Sequence, residues 1–100
     1  MEKYEVLLTP KALRDLDAIY GYVADTLLEA GTAHALIEEL EKGIFSLETM
    51  PYRCPERRVG VFANRGYRQL FVRNYTILYR IAEPDRQVII LSVLYSRSVF

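Results

Sequence analysis

Nine arginines and no lysine lie between residues 51 and 100. Arg53, Arg57, Arg58, Arg65, Arg68, Arg73, Arg80, Arg86 and Arg97 carry planar, permanently charged groups that can grip phosphate or carboxylate through two parallel hydrogen bonds. Only Glu56, Glu83 and Asp85 oppose them, so this half has a formal charge of +6. Residues 1–50 carry −6, from ten Asp/Glu against four Lys/Arg, and the net charge of zero hides the split. Tyr52, Tyr67, Tyr75, Tyr79 and Tyr95 are interleaved with the arginines. An arginine-only cationic half with aromatic rings points to an anionic partner, either nucleic acid or an acidic peptide.

Arg73, Arg80 and Arg97 fall on strands or at their ends, where backbone pairing holds a side chain more firmly than a loop does. There they could clamp phosphates or stabilise the added charge of a phosphorane transition state; the plain alternative is edge-strand charge that discourages aggregation. Arg53, Arg57, Arg58 and Arg65, with Arg68 just beyond, form a basic stretch suited to tracking a phosphate backbone without reading sequence. Tyr67, Tyr75, Tyr79 and Tyr95 could stack on bases, or one could move a proton. Core packing competes with that role, least strongly for Tyr95 at the end of the last strand. His34 and Cys54 are the chain's single histidine and cysteine. They exclude an internal disulfide and a His/Cys zinc site, and no metal or other cofactor is expected.

The elements that must position these groups are legible in the spacing. Lys3 to Leu8 alternates and reads as a strand. Thr9-Pro10 opens a helix by capping, with Leu13, Leu16, Tyr20, Val23 and Leu27 on one stripe beside Ile19. Gly31-Thr32 reads as the end of this helix and the start of a second, which carries Leu36, Ile37, Leu40, Ile44 and Leu47 and stops at Pro51. Residues 52–66 lose periodicity and read as an exposed basic loop, with a short extended piece at Val59 to Phe62. Three strands follow: Tyr67 to Arg73, Thr76 to Ala82 and Gln87 to Tyr95, joined by reversals at Asn74-Tyr75 and at Glu83 to Arg86. The last strand is apolar at both parities, so both its faces should be covered. Two short helices cover one; a partner protein is expected on the other.

One hundred residues make one domain with one core, spanning 1–100. No apolar run reaches the length of a membrane span. The start Met1-Glu2-Lys3-Tyr4 lacks the features of a signal peptide, so a cytoplasmic location is expected.

The hairpin YRQLFVRNYTILYRI (67–81), the ending VLYSR (93–97), TPKALRDLDAIYGYVA (9–24) and SLETMPYRCP (46–55) together resemble the RelE/ParE superfamily of type II toxin components. The likeness runs from about Tyr4 to the C-terminus. It implies an α+β fold, a mostly antiparallel four-stranded sheet packed on an N-terminal αα-hairpin in the order β-α-α-β-β-β. It also implies a cognate protein antitoxin that wraps the toxin. RelE-like members cleave mRNA in the ribosomal A site, whereas ParE-like members block DNA gyrase and have no established catalytic site. Ribosome-dependent cleavage is the first expectation. On the family's pattern Arg73 and Arg97 would stabilise phosphate charge, Arg80 would assist, Tyr95 would transfer a proton, and the loop arginines would hold rRNA or mRNA. Gyrase inhibition, or a degenerate toxin that only binds antitoxin, is the alternative. The chain departs from the nucleases at Thr76, where an arginine often opens the middle hairpin strand, and at Ser98-Val99, where relatives often continue with Arg and Asp.

Overall fold

A computed structural model describes residues 3–96. The order is β1 (Glu5–Leu8), α1 (Pro10–Leu27), α2 (Ala30–Phe45), β2 (Arg68–Val72), β3 (Tyr75–Ala82) and β4 (Gln87–Tyr95), with single 3-10 turns at Ser46–Glu48, Pro51–Arg53 and Glu83–Asp85. The sheet runs β1-β4-β3-β2; β1 is parallel to β4 and the other pairs are antiparallel. This is the expected α+β architecture.

Thr9 starts α1 as the sequence implies, its hydroxyl accepting the Ala12 N–H at 3.1 Å while also lying 2.9 Å from the Ile90 and Leu91 carbonyls of β4. One side chain therefore caps the helix and ties it to the sheet. The buried stripe of α1 is rotated from the expected one. Ala12 and Leu16 enter the core, Ile19 packs against it, and Leu13 and Tyr20 are left exposed. A methyl group at Ala12 lets the helix approach the sheet closely on that side.

The joint between the helices differs too. Leu28, not Gly31, takes the left-handed conformation (φ 54°), and α2 begins at Ala30, so Gly31 and Thr32 lie inside it. The last turns of α2 bury Leu40 and Ile44, and Leu47 continues the same line. With Ile77, Tyr79, Val88, Ile90 and Val93 they form the core between the hairpin and the sheet. Gly43 marks the closest approach of α2 to β2: a Cβ there would lie 2.7 Å from Val72 Cγ2.

The turn between β2 and β3 is Arg73-Asn74, one residue earlier than expected, with Arg73 at φ 54°. The loop before β2 is neither wholly exposed nor extended at 59–62. Pro55 to Arg57 runs along the edge of β2, with Gln69 N–H donating to the Pro55 carbonyl and Arg57 N–H to the Tyr67 carbonyl. The Arg57 side chain is buried, donating to the Val61 carbonyl and to Gln69 Oε1. The loop thus roofs part of the sheet face turned away from the helices, and some of the cover expected from a partner comes from the chain itself. On that far face Thr76 and Leu78 are buried, whereas Phe71 and Arg80 are exposed.

Candidate interaction site

The arginines that spacing grouped together are held by different parts of the fold. Arg53 folds back on the preceding turn, its Nη1 2.9 Å from the Thr49 carbonyl and its Nη2 2.8 Å from Ser46 Oγ. It satisfies carbonyls of the turn that follows α2. Arg68 donates to the Cys54 carbonyl at 2.6 Å and lies 5.1 Å from the centroid of the Tyr52 ring. Arg57 anchors the roofing loop as described. Arg58 is exposed and, among the described residues, reaches only its neighbour Glu56, at 3.3 Å. Arg65 is exposed and has no hydrogen-bond or ion-pair partner among the described residues.

Arg73 is exposed but held by a carboxylate. Its Nε and Nη2 bind the Glu39 carboxylate of α2 at 2.6 and 2.8 Å, a two-point grip that clamps the β2-β3 turn to the helix. The hydrogen bond from Arg73 holds the Glu39 carboxyl below the usual carboxylate range, and Glu39 in turn raises the guanidinium. Arg80, on the far face with Thr76 and Leu78, is exposed and has no such partner among the described residues. Arg97 lies outside the described residues. It follows Ser96, whose hydroxyl is 2.8 Å from that of Thr76 on the far face.

Tyr95 pairs with Tyr75 across β4 and β3, the rings edge to face with centroids 5.6 Å apart. With Ala18, Ile19 and Tyr22 they line an apolar cleft of about 440 Å³ beside α1, on the opposite side of the sheet from Arg80. Burial, then the neighbouring Tyr95 and Tyr22, raises the Tyr75 hydroxyl above the usual phenol value. Tyr79 is buried and donates to the Pro51 carbonyl at 2.6 Å, and burial raises its hydroxyl strongly. Tyr67 packs edge to face on Phe62 within the loop. His34 packs the same way on Tyr20, and Cys54 is buried as a free thiol.

The far face carries a groove of about 540 Å³ between the roofing loop and the sheet. Arg58, Val59, Gln69, Phe71, Thr76 and Ser96 line it, with Phe71 59% and Val59 82% exposed. An apolar floor beside an exposed guanidinium and hydroxyls suits a protein or an anionic ligand. Sequence reasoning named Arg58 here but missed Phe71 and Val59; the signal was the exposed parity of β2, where Phe71 lies opposite Leu70 and Val72. It also missed Glu39, whose role depends on a contact 34 residues away.

Among the described residues no group of His, Cys, Asp and Glu could hold a metal ion, and no helix is long and apolar enough to cross a membrane.

This geometry has solved counterparts. The toxin-antitoxin system described as chromosomal ParDE from P. aeruginosa superposes with a TM-score of 0.76 at 21% identity, over 93% of this chain and 96% of that one. The RelBE2 toxin-antitoxin complex of Mycobacterium tuberculosis gives 0.69 at 24% identity, over 95% and 93%. A doubly substituted E. coli RelE toxin in the free state gives 0.60 at 15% identity, over 96% and 86%. At these identities the likeness concerns the fold. No curated protein matches the chain. Residues 6–100 match the family described as the ParE toxin of the type II toxin-antitoxin system parDE. With nearly the whole chain inside that match, the protein belongs to the ParE toxin family within the RelE/ParE superfamily.

Proposed function

We propose that this toxin arrests growth by binding DNA gyrase without catalysis, and that a cognate antitoxin neutralises it by shielding the open part of its sheet. The observation that carries this reading is the two-point pair between Arg73 and Glu39. With its Nε/Nη2 edge held by a carboxylate of the same chain, Arg73 would have to release Glu39 before gripping a phosphorane through that edge. Arg53, Arg57 and Arg68 likewise spend their hydrogen bonds on carbonyls and Gln69. What remains is a surface with exposed Phe71 and Val59 beside Arg58, which is the chemistry of protein recognition. Membership of the ParE family supports the same reading, and solved relatives described as toxin-antitoxin complexes support the antitoxin.

One observation favours ribosome-dependent mRNA cleavage instead. Thr76 and Ser96 line the far-face groove with Arg58, and Arg97 follows next in the chain. Inducible expression, scored for plasmid topology and transcript ends in the same cells, separates the two. Gyrase inhibition predicts accumulation of relaxed plasmid and intact transcripts; cleavage inside codons with unchanged topology overturns the proposal.

A further inference from the structure

We propose that the isolated chain stacks on further copies of itself, the outer face of the helical hairpin of one copy covering the open sheet face of the next. This does not depend on the identity of the toxin's target.

The hairpin covers one side of the sheet, and its own outer surface is not a plain polar face. Between α1 and α2 runs a groove of about 400 Å³ lined by Leu13, Tyr20 and Ile37 together with Asp17 and Glu41. It continues into a shallower one where Phe45 lies beside Glu38, Glu41 and Lys42. Leu13 is 52% and Phe45 46% exposed. Asp17, Glu38 and Glu41 are exposed, and none has a hydrogen-bond or ion-pair partner among the described residues.

The sheet's far side offers the complementary pattern: Phe71 and Val59 for the apolar stripe, Arg58 at the groove, and Arg80 unpaired on the same face. Each surface joins exposed apolar area to an excess of one charge: Asp17, Glu38 and Glu41 against Lys42 on the hairpin, and Arg58 and Arg80 against Glu56 on the sheet side. A half-covered sheet gains a helical layer on its second face, the arrangement in which both faces of a sheet are buried. The zero net charge of the chain removes the long-range repulsion that would keep copies apart.

The two surfaces lie on opposite layers of the molecule, so the contact is head to tail. Such an interface does not close at two copies; it builds rings or open chains.

Sedimentation velocity of the purified chain, across protein concentration and at low and high salt, tests this. The average mass is expected to rise past that of a dimer at low salt and to fall back toward the monomer at high salt. Glu41→Arg or Arg58→Glu alone is expected to weaken association about tenfold or more, and the two combined in one chain to restore it. Restoration is a readout that a folding defect cannot produce. A monomer at every concentration and salt, meaning the open face serves only a different protein or nucleic acid, overturns the proposal. So does a closed dimer that ignores both reversals.

Discussion

The carboxylate of Asp15 and the backbone amide of Val93 lie 3.0 Å apart, joining the middle of α1 to the point where β4 leaves its regular pairing with β3. The register shifts between Leu78 and Tyr79, and Leu91 has no partner across the ladder. Asp15 receives the Val93 N–H and also the buried Ser92 hydroxyl at 2.6 Å, while Lys11 bridges Asp15 and Ser92. A bulge leaves amides that the neighbouring strand cannot satisfy, and a helix carboxylate supplies the acceptor.

Asp15→Ala should therefore destabilise the fold by about 2–3 kcal/mol, since it strands a buried hydroxyl and an amide together. Urea denaturation measures it. A loss as small as that of a surface charge would show that water replaces the carboxylate without cost.

Tyr79→Phe keeps the ring in the core and removes the hydroxyl that serves the Pro51 carbonyl. The expected cost is about 1–3 kcal/mol, the penalty of an unsatisfied buried acceptor. Thermal melting reads it as a drop of about 4–8 °C per kcal/mol in a domain of this size.

Two glycines in α2 should respond in opposite directions. Gly31 has open space where a Cβ would stand, so Gly31→Ala should stabilise by about 0.5–1 kcal/mol through helix propensity. At Gly43 the added methyl meets Val72, a β-branched side chain on a strand with little freedom to turn aside. Overpacking costs about 1–3 kcal/mol, so Gly43→Ala should be net destabilising. Equilibrium unfolding of the two variants side by side checks the contrast.

Glu83 accepts hydrogen bonds from the Tyr52 and Tyr4 hydroxyls, and these hold its carboxyl below the usual range. The same Glu83 contact raises the Tyr52 hydroxyl. A carboxyl depressed in the folded state contributes stability above its unfolded pKa and loses it as pH falls through the folded one. The Tyr52 contribution runs the other way, present below the ordinary phenol value and lost as pH rises through the raised one. Melting temperatures across pH should fall less steeply on both limbs in Glu83→Gln. An unchanged profile would mean that the pair titrates alike in folded and unfolded chains.

Much of this fold could be read from the residues. The strands of the β2-β3 hairpin follow from alternation, and the start of α1 from Thr9-Pro10. The parallel pairing of β1 with β4 could not be read, because no local pattern links residues some 82 positions apart. Glycine is the usual left-handed residue and points to Gly31 for the helix joint, yet Leu28, 86% exposed, adopts that conformation instead. The site was legible as charge and not as geometry. Spacing located the arginines, but which guanidiniums remain free is decided by Glu39, by the carbonyls of the turn after α2 and by the buried position of Arg57.

Supercoiling of relaxed plasmid by purified DNA gyrase, with purified toxin added alone and then with its antitoxin, decides whether gyrase is the target. Gyrase binding predicts dose-dependent loss of supercoiling that the antitoxin reverses, with RNA left intact in the same preparation. Full gyrase activity at saturating toxin, alongside A-site cleavage of mRNA on ribosomes, would contradict it.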